Sequence, residues 1–100
     1  MANITEKNNL VFVDSLSLGD GYDWADIEVY YSKEKNRFFW IEGSGCSCSW
    51  LWEDVNSLAD MCDGDRQSAA RAVRSFAEDQ RGRFHGDVAM AAEGVLKFKM

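Results

Sequence analysis

Hydrophobic and polar positions alternate most clearly over residues 27–42. Ile27, Val29 and Tyr31 fall on one face of an extended chain, and Glu28, Tyr30 and Ser32 on the other. Lys33-Glu34-Lys35-Asn36 interrupts the alternation. Arg37-Phe38-Phe39-Trp40-Ile41-Glu42 then resumes as a second β-prone run. Two β-branched and aromatic runs joined by four polar residues predict a β-hairpin. Aromatic side chains occur on both faces of its second strand. One face is therefore expected to pack on helices, and the other to be partly covered by the Trp50–Trp52 segment.

Leu10-Val11-Phe12-Val13 is expected to form a further strand, followed by a loop from Asp14 to Asp26 around Gly19-Asp20-Gly21. Residues 1–9 are polar and expected to fray. Gly43 and Gly45 are expected to end the sheet, because glycine takes the positive φ of a hard turn. Asn56 or Ser57 can cap a short helix that runs to Met61 and is broken by Cys62-Asp63-Gly64-Asp65. From residue 66 the period changes to that of a helix. Ala69, Ala72, Val73, Phe76 and Ala77 form one apolar stripe, Asp65 is a good N-cap and Gly82 a natural stop. The spacing predicts a helix over Arg66–Arg81. Asp87 can cap a last helix with Val88, Ala91, Ala92 and Val95 on one face. Gly94 fits that helix poorly, and an edge strand over 95–100 is the competing reading. Together these elements predict a single α+β domain over residues 1–100. Its small antiparallel sheet is built on the central hairpin and packed by two to three helices.

Composition narrows the function classes. The net charge is −6, and the excess is one-sided: residues 1–60 carry eleven acids and four bases, residues 61–100 six acids and seven bases. That balance argues against direct contact with nucleic acid, which needs a basic face. It suits docking on a basic partner, including a protein whose own basic surface normally binds nucleic acid. No apolar run reaches the roughly 20 residues of a membrane span, and the N-terminus lacks the pattern of a signal peptide. Three cysteines, an odd number, suggest reduced thiols in a cytosol.

Candidate chemistry concentrates in Gly43-Ser44-Gly45-Cys46-Ser47-Cys48-Ser49-Trp50-Leu51-Trp52-Glu53-Asp54. Cys46, Cys48, Cys62 and His85 could form a Cys₃His zinc site. Structural zinc sites favour C-x₂₋₄-C knuckles, however, and C-x-C is tighter. The acids Glu42, Glu53 and Asp54 would raise a neighbouring thiol's pKa, which opposes thiolate chemistry. His85 has no triad or elbow motif around it. Gly43-Ser44-Gly45 lacks the Gly-Lys-Ser/Thr of a phosphate loop. The acidic run Asp20, Asp23, Asp26 and Glu28 does not match a calcium-binding loop. No catalytic residue and no cofactor are expected. The cysteine-rich run is read as structural, with Cys46 and Cys48 filling tight space and Trp50 or Trp52 sealing the sheet. A binding face is the remaining reading. Thirteen Phe, Tyr and Trp residues are more than a core of this size must hold. Trp or Tyr beside acids makes a protein-docking patch. Asp20, Asp23, Trp24, Asp26 and Tyr30 are the residues expected to form it.

Arg37-Phe38-Phe39-Trp40-Ile41, Gly45-Cys46-Ser47-Cys48 and Trp52-Glu53-Asp54-Val55 carry a resemblance. Over about residues 27–60 the chain resembles small proteins of bacteriophages, especially those of actinobacteria. These have an aromatic strand, a Gly-Cys-Ser-Cys turn and a W/F-E-D/N segment before a short helix. The pattern often has a proline before the W/F-E step, where this chain has Leu51. Such proteins have no assigned function, so no catalytic residue carries over. The resemblance implies a phage origin and a setting in the host cytosol. The expected function is a non-enzymatic phage accessory protein that binds and inhibits a host protein, as an anti-defence protein would. A small zinc module and a ligand-sequestering oligomer are the alternatives.

Overall fold

The computed structural model describes residues 4–19, 22–46, 49–53, 55–82 and 84–99. A helical turn, α1 (Ile4–Lys7), leads into β1 (Leu10–Gly19), β2 (Asp23–Ser32) and β3 (Arg37–Cys46). A short β4 (Cys62–Gly64) precedes α2 (Arg66–Asp79), and α3 (Glu93–Lys97) follows. The strands form one antiparallel sheet in the order β1-β2-β3-β4. The architecture is α+β, as the pattern predicts.

The β2–β3 hairpin is the centre of the sheet, with Val29 opposite Trp40 and Tyr30 opposite Phe39. Its four-residue turn is held by two side-chain bonds. The buried Ser32 hydroxyl accepts from the Lys35 amide at 3.0 Å, and the Tyr31 hydroxyl donates to Asn36 at 2.6 Å. Asn36 takes the left-handed conformation there, with φ of 56°, which asparagine tolerates better than most residues.

Alternation divides the hairpin between two cores. Ala25, Ile27, Val29 and Tyr31 of β2, with Phe38 and Trp40 of β3, pack against Ala69, Ala70, Val73 and Phe76 of α2 and Val95 of α3. The alanines let α2 approach the sheet closely, and Phe76 is its large anchor. On the other face Phe39 and Ile41 join Ile4, Val55 and Met61, with Leu51, Trp52, Tyr30 and Leu58 packed around them. A loop layer thus covers this face, as expected from Trp50–Trp52. Trp52 provides the cover, and Trp50 is left 48% exposed.

Several expectations are corrected. The region 14–26 is not a loop: β1 continues to Gly19 through an irregularity between Phe12 and Asp14, and β2 begins at Asp23. The Leu16/Leu18 alternation is what carries β1 onward, since both side chains pack on the helix-side core. The N-terminal segment does not wholly fray, because Ile4 is buried in the loop-side core. Gly43 and Gly45 do not end the sheet but lie inside β3. Cys62-Asp63-Gly64 is more than a helix breaker. It pairs with Phe38–Trp40 as an edge strand, and Gly64 lets it pass close to Ser68 and the Trp40 ring.

Asp65 caps α2 as predicted, its carboxylate accepting from the Ser68 amide at 2.8 Å. That hydrogen bond holds the Asp65 carboxyl below its ordinary pKa. The C-terminal segment is helical but in two pieces. Asp87 accepts from the Ala89 amide to start a 3-10 turn over Val88–Met90, and α3 follows. Arg66 ties α3 back to the start of α2. Its Nη1 donates to the Val95 and Leu96 carbonyls at 2.7 and 3.1 Å, and its guanidinium stands over the Phe38 ring. The helix ending at Asn56/Ser57–Met61 is a single 3-10 turn over Leu58–Asp60, capped by Ser57.

Candidate functional site

The end of the sheet remote from the β2–β3 turn carries the most functional character. Trp24 lies on the loop-side face of β2, paired with Gly45 of β3. Its indole rests across the two strand glycines. A Cβ at Gly45 would stand 3.0 Å from Trp24 Cζ2, and one at Gly43 3.7 Å from Trp24 Cη2. Trp24 Nε1 donates to the Cys46 carbonyl at 2.8 Å, which fixes the ring in the sheet plane's direction. The glycines therefore serve as a floor for a large ring rather than as a turn.

Two clefts open on either side of this ribbon, and both reach Trp24 and Ser44. The helix-side cleft, of about 490 Å³, is lined by Asp23, Trp24, Ser44, Gly45, Asp79 and Gln80 among others. The loop-side cleft, of about 290 Å³, includes Trp24, Glu42, Ser49, Trp50, Glu53 and Asp60. No lysine or arginine lines either one among the described residues. Tyr22, next to Asp23 in the chain, is 81% exposed.

Partial burial, then the nearby Asp79 carboxylate, push the Glu42 carboxyl above the ordinary glutamate range. α2 ends here, and its last turn carries no base. A helix C-terminus is the negative pole of the backbone dipoles and favours cations. This one carries Glu78 and Asp79 instead. Arg81 pairs with Glu78 in an exposed contact at 3.3 Å, which is worth little.

The residues singled out from sequence are dispersed in an instructive way. Trp24, Asp26 and Tyr30 share one face of β2, and Asp23 lies on the other. Asp20 lies outside the described residues. Trp24 and Asp23 reach the clefts. Asp26 accepts from Ser17 Oγ at 2.7 Å on β1. Tyr30 belongs to a different group further along the strand. Its hydroxyl and Trp52 Nε1 both donate to Glu28 Oε1, at 2.8 and 3.0 Å. Phe12, Tyr30 and Trp52 meet edge to face. Burial and the Glu28 carboxylate raise the Tyr30 pKa, so this phenol stays protonated and acts as a donor.

Glu42 and Asp79 were not legible as site residues, because only the packing of α2 on β3 brings them together. The zinc set is not assembled. Cys62 pairs with Trp40, six residues up β3 from Cys46, so the register separates the two by about 20 Å. Both are exposed, so Cys46 does not fill tight space as expected. Cys48 lies outside the described residues, and His85 is exposed. No helix among the described residues is long and apolar enough to cross a membrane.

Fold and site together define a small α+β protein whose one sheet end is acidic, aromatic and grooved on both sides. Over residues 2–98 the chain matches the family described as Domain of unknown function (DUF7574), and it belongs to that family. No curated protein and no solved structure matches it.

Proposed function

We propose that this chain is a non-enzymatic binding protein that captures a basic segment of another protein on the Trp24 end of its sheet. The observation that carries this reading is that Asp79, near enough to Glu42 to raise its pKa, lines one cleft with Asp23 and Trp24, and that no lysine or arginine lines that cleft among the described residues. Like charges placed together at the negative end of a helix cost stability. An arriving arginine or lysine removes that cost. The indole adds a face for cation–π contact, and Trp50 and Tyr22 add exposed apolar area of the kind found in docking hot spots.

The resemblance to small actinobacteriophage proteins supports a phage accessory role in the host cytosol. There the protein would inhibit a host protein, one of a defence system, by occupying its basic surface. The acidic end would stand in for nucleic-acid phosphates. Affinity capture from an actinobacterial host lysate tests this. The native chain is expected to retain a basic protein that a Trp24→Ala, Asp79→Asn variant loses. Repeated capture of the same partners by both, or of none by either, would contradict the proposal.

A further inference from the structure

At the opposite end of the loop-side face, a second and separate cleft has the reverse character. Its floor is Phe39 and Met61, both buried, with Leu58 at one side. Lys35 and Arg37 stand on its rim, and Asp63 faces Arg37, Oδ2 to Nε at 2.8 Å. Its volume of about 280 Å³ falls below the roughly 300–1,000 Å³ of small-molecule and cofactor pockets. It suits a single apolar side chain.

The turn that carries the cations is pre-set by the Ser32–Lys35 and Tyr31–Asn36 hydrogen bonds. The backbone positions from which Lys35 and Arg37 extend are therefore fixed before a ligand arrives. Arg37 meets Asp63 through Nε, and the donors on its terminal nitrogens are the kind with which a planar guanidinium grips a carboxylate.

We infer that this cleft binds the C-terminal residue of a peptide chain, with an apolar side chain on Phe39 and Met61 and the terminal carboxylate at Arg37 and Lys35. This inference is independent of the acidic end, which attracts the opposite charge. Asp63 is the built-in competitor for Arg37, so removing its charge strengthens the site.

The test is an NMR titration of the full chain with a short peptide ending in leucine, with the same peptide amidated, and with an amidated peptide carrying an internal Glu beside Leu. The free-acid peptide is expected to shift the Met61 methyl and Arg37 side-chain signals, with half-saturation at about 1 mM. Asp63→Asn is expected to tighten binding about threefold, and Arg37→Gln to abolish it. Leu58→Trp, which fills the cleft and leaves the turn untouched, is expected to abolish it too. Equal shifts from either amidated peptide, no shift at about 10 mM, or binding indifferent to both Asp63→Asn and Arg37→Gln would overturn the inference.

Discussion

Gly94 shows how a residue that looks wrong in a helix can be required there. A Cβ at this position would run into the Asp14 carboxylate of β1. Gly→Ala in a helix normally gains about 1 kcal/mol. Here Gly94→Ala is expected to destabilise by about 1–3 kcal/mol through overpacking, seen as a lowered thermal midpoint. Gly45→Ala is expected to do the same, because its Cβ would press on Trp24 and Ser49. Neither contact could be read from the chain, since each joins residues brought together only by topology. Glu42 makes a prediction of opposite sign. Its folded-state pKa is raised above the unfolded value, so the folded form binds the proton more tightly. Its penalty is absent below the unfolded pKa, near about pH 4, and is complete once pH passes the folded value. Glu42→Gln is therefore expected to raise the thermal midpoint at neutral pH and to leave it nearly unchanged at about pH 4.

At the scale of elements, periodicity located what was regular. The hairpin, the α2 stripe and the Asp65 cap follow from alternation, from 3.6-residue spacing and from a carboxylate before an apolar run. The strands proved longer than the apolar runs that announced them. Ser15 and Ser17 of β1, opposite Glu28 and Asp26, lie on the part of the loop-side face that stays exposed, and polar residues there weaken the β signal without ending the strand. β4 was hidden for a different reason. Cys-Asp-Gly has poor β propensity, and only its pairing with Phe38–Trp40 makes it a strand. The final helix breaks in two because α3 must turn to place Val95 in the core, with its last carbonyls taken by Arg66. Arg66→Ala is expected to cost about 1–3 kcal/mol and to speed amide hydrogen exchange in α3 well before the β2–β3 hairpin opens. Simultaneous opening of both would contradict a local clamp.

The whole molecule is polarised along its sheet. Lys33, Lys35 and Arg37, with Glu34 and Asp63 among them, stand at the β2–β3 turn, and Asp23 and Asp79 line the cleft at the far end. The ten residues of β2, about 33 Å, run from Asp23 to the turn. The sequence showed that acids predominate in its first sixty residues and that Trp24 and Asp23 belonged with a docking patch. It did not show that α2 would bring Asp79 from the basic half to join them, nor that Asp26 would bond Ser17 on β1 and Tyr30 join Glu28 and Trp52 further along the strand. The central claim is that this acidic end recognises cationic side chains. It is tested most directly by following the indole N–H signals of Trp24 and Trp50 while an arginine-rich peptide is titrated into the native chain and into an Asp23→Asn, Asp79→Asn variant. Both indoles are expected to show saturable shifts in the native chain, weakened by salt and lost in the variant. Shifts of equal size and affinity in the variant, or none in the native chain, would contradict it.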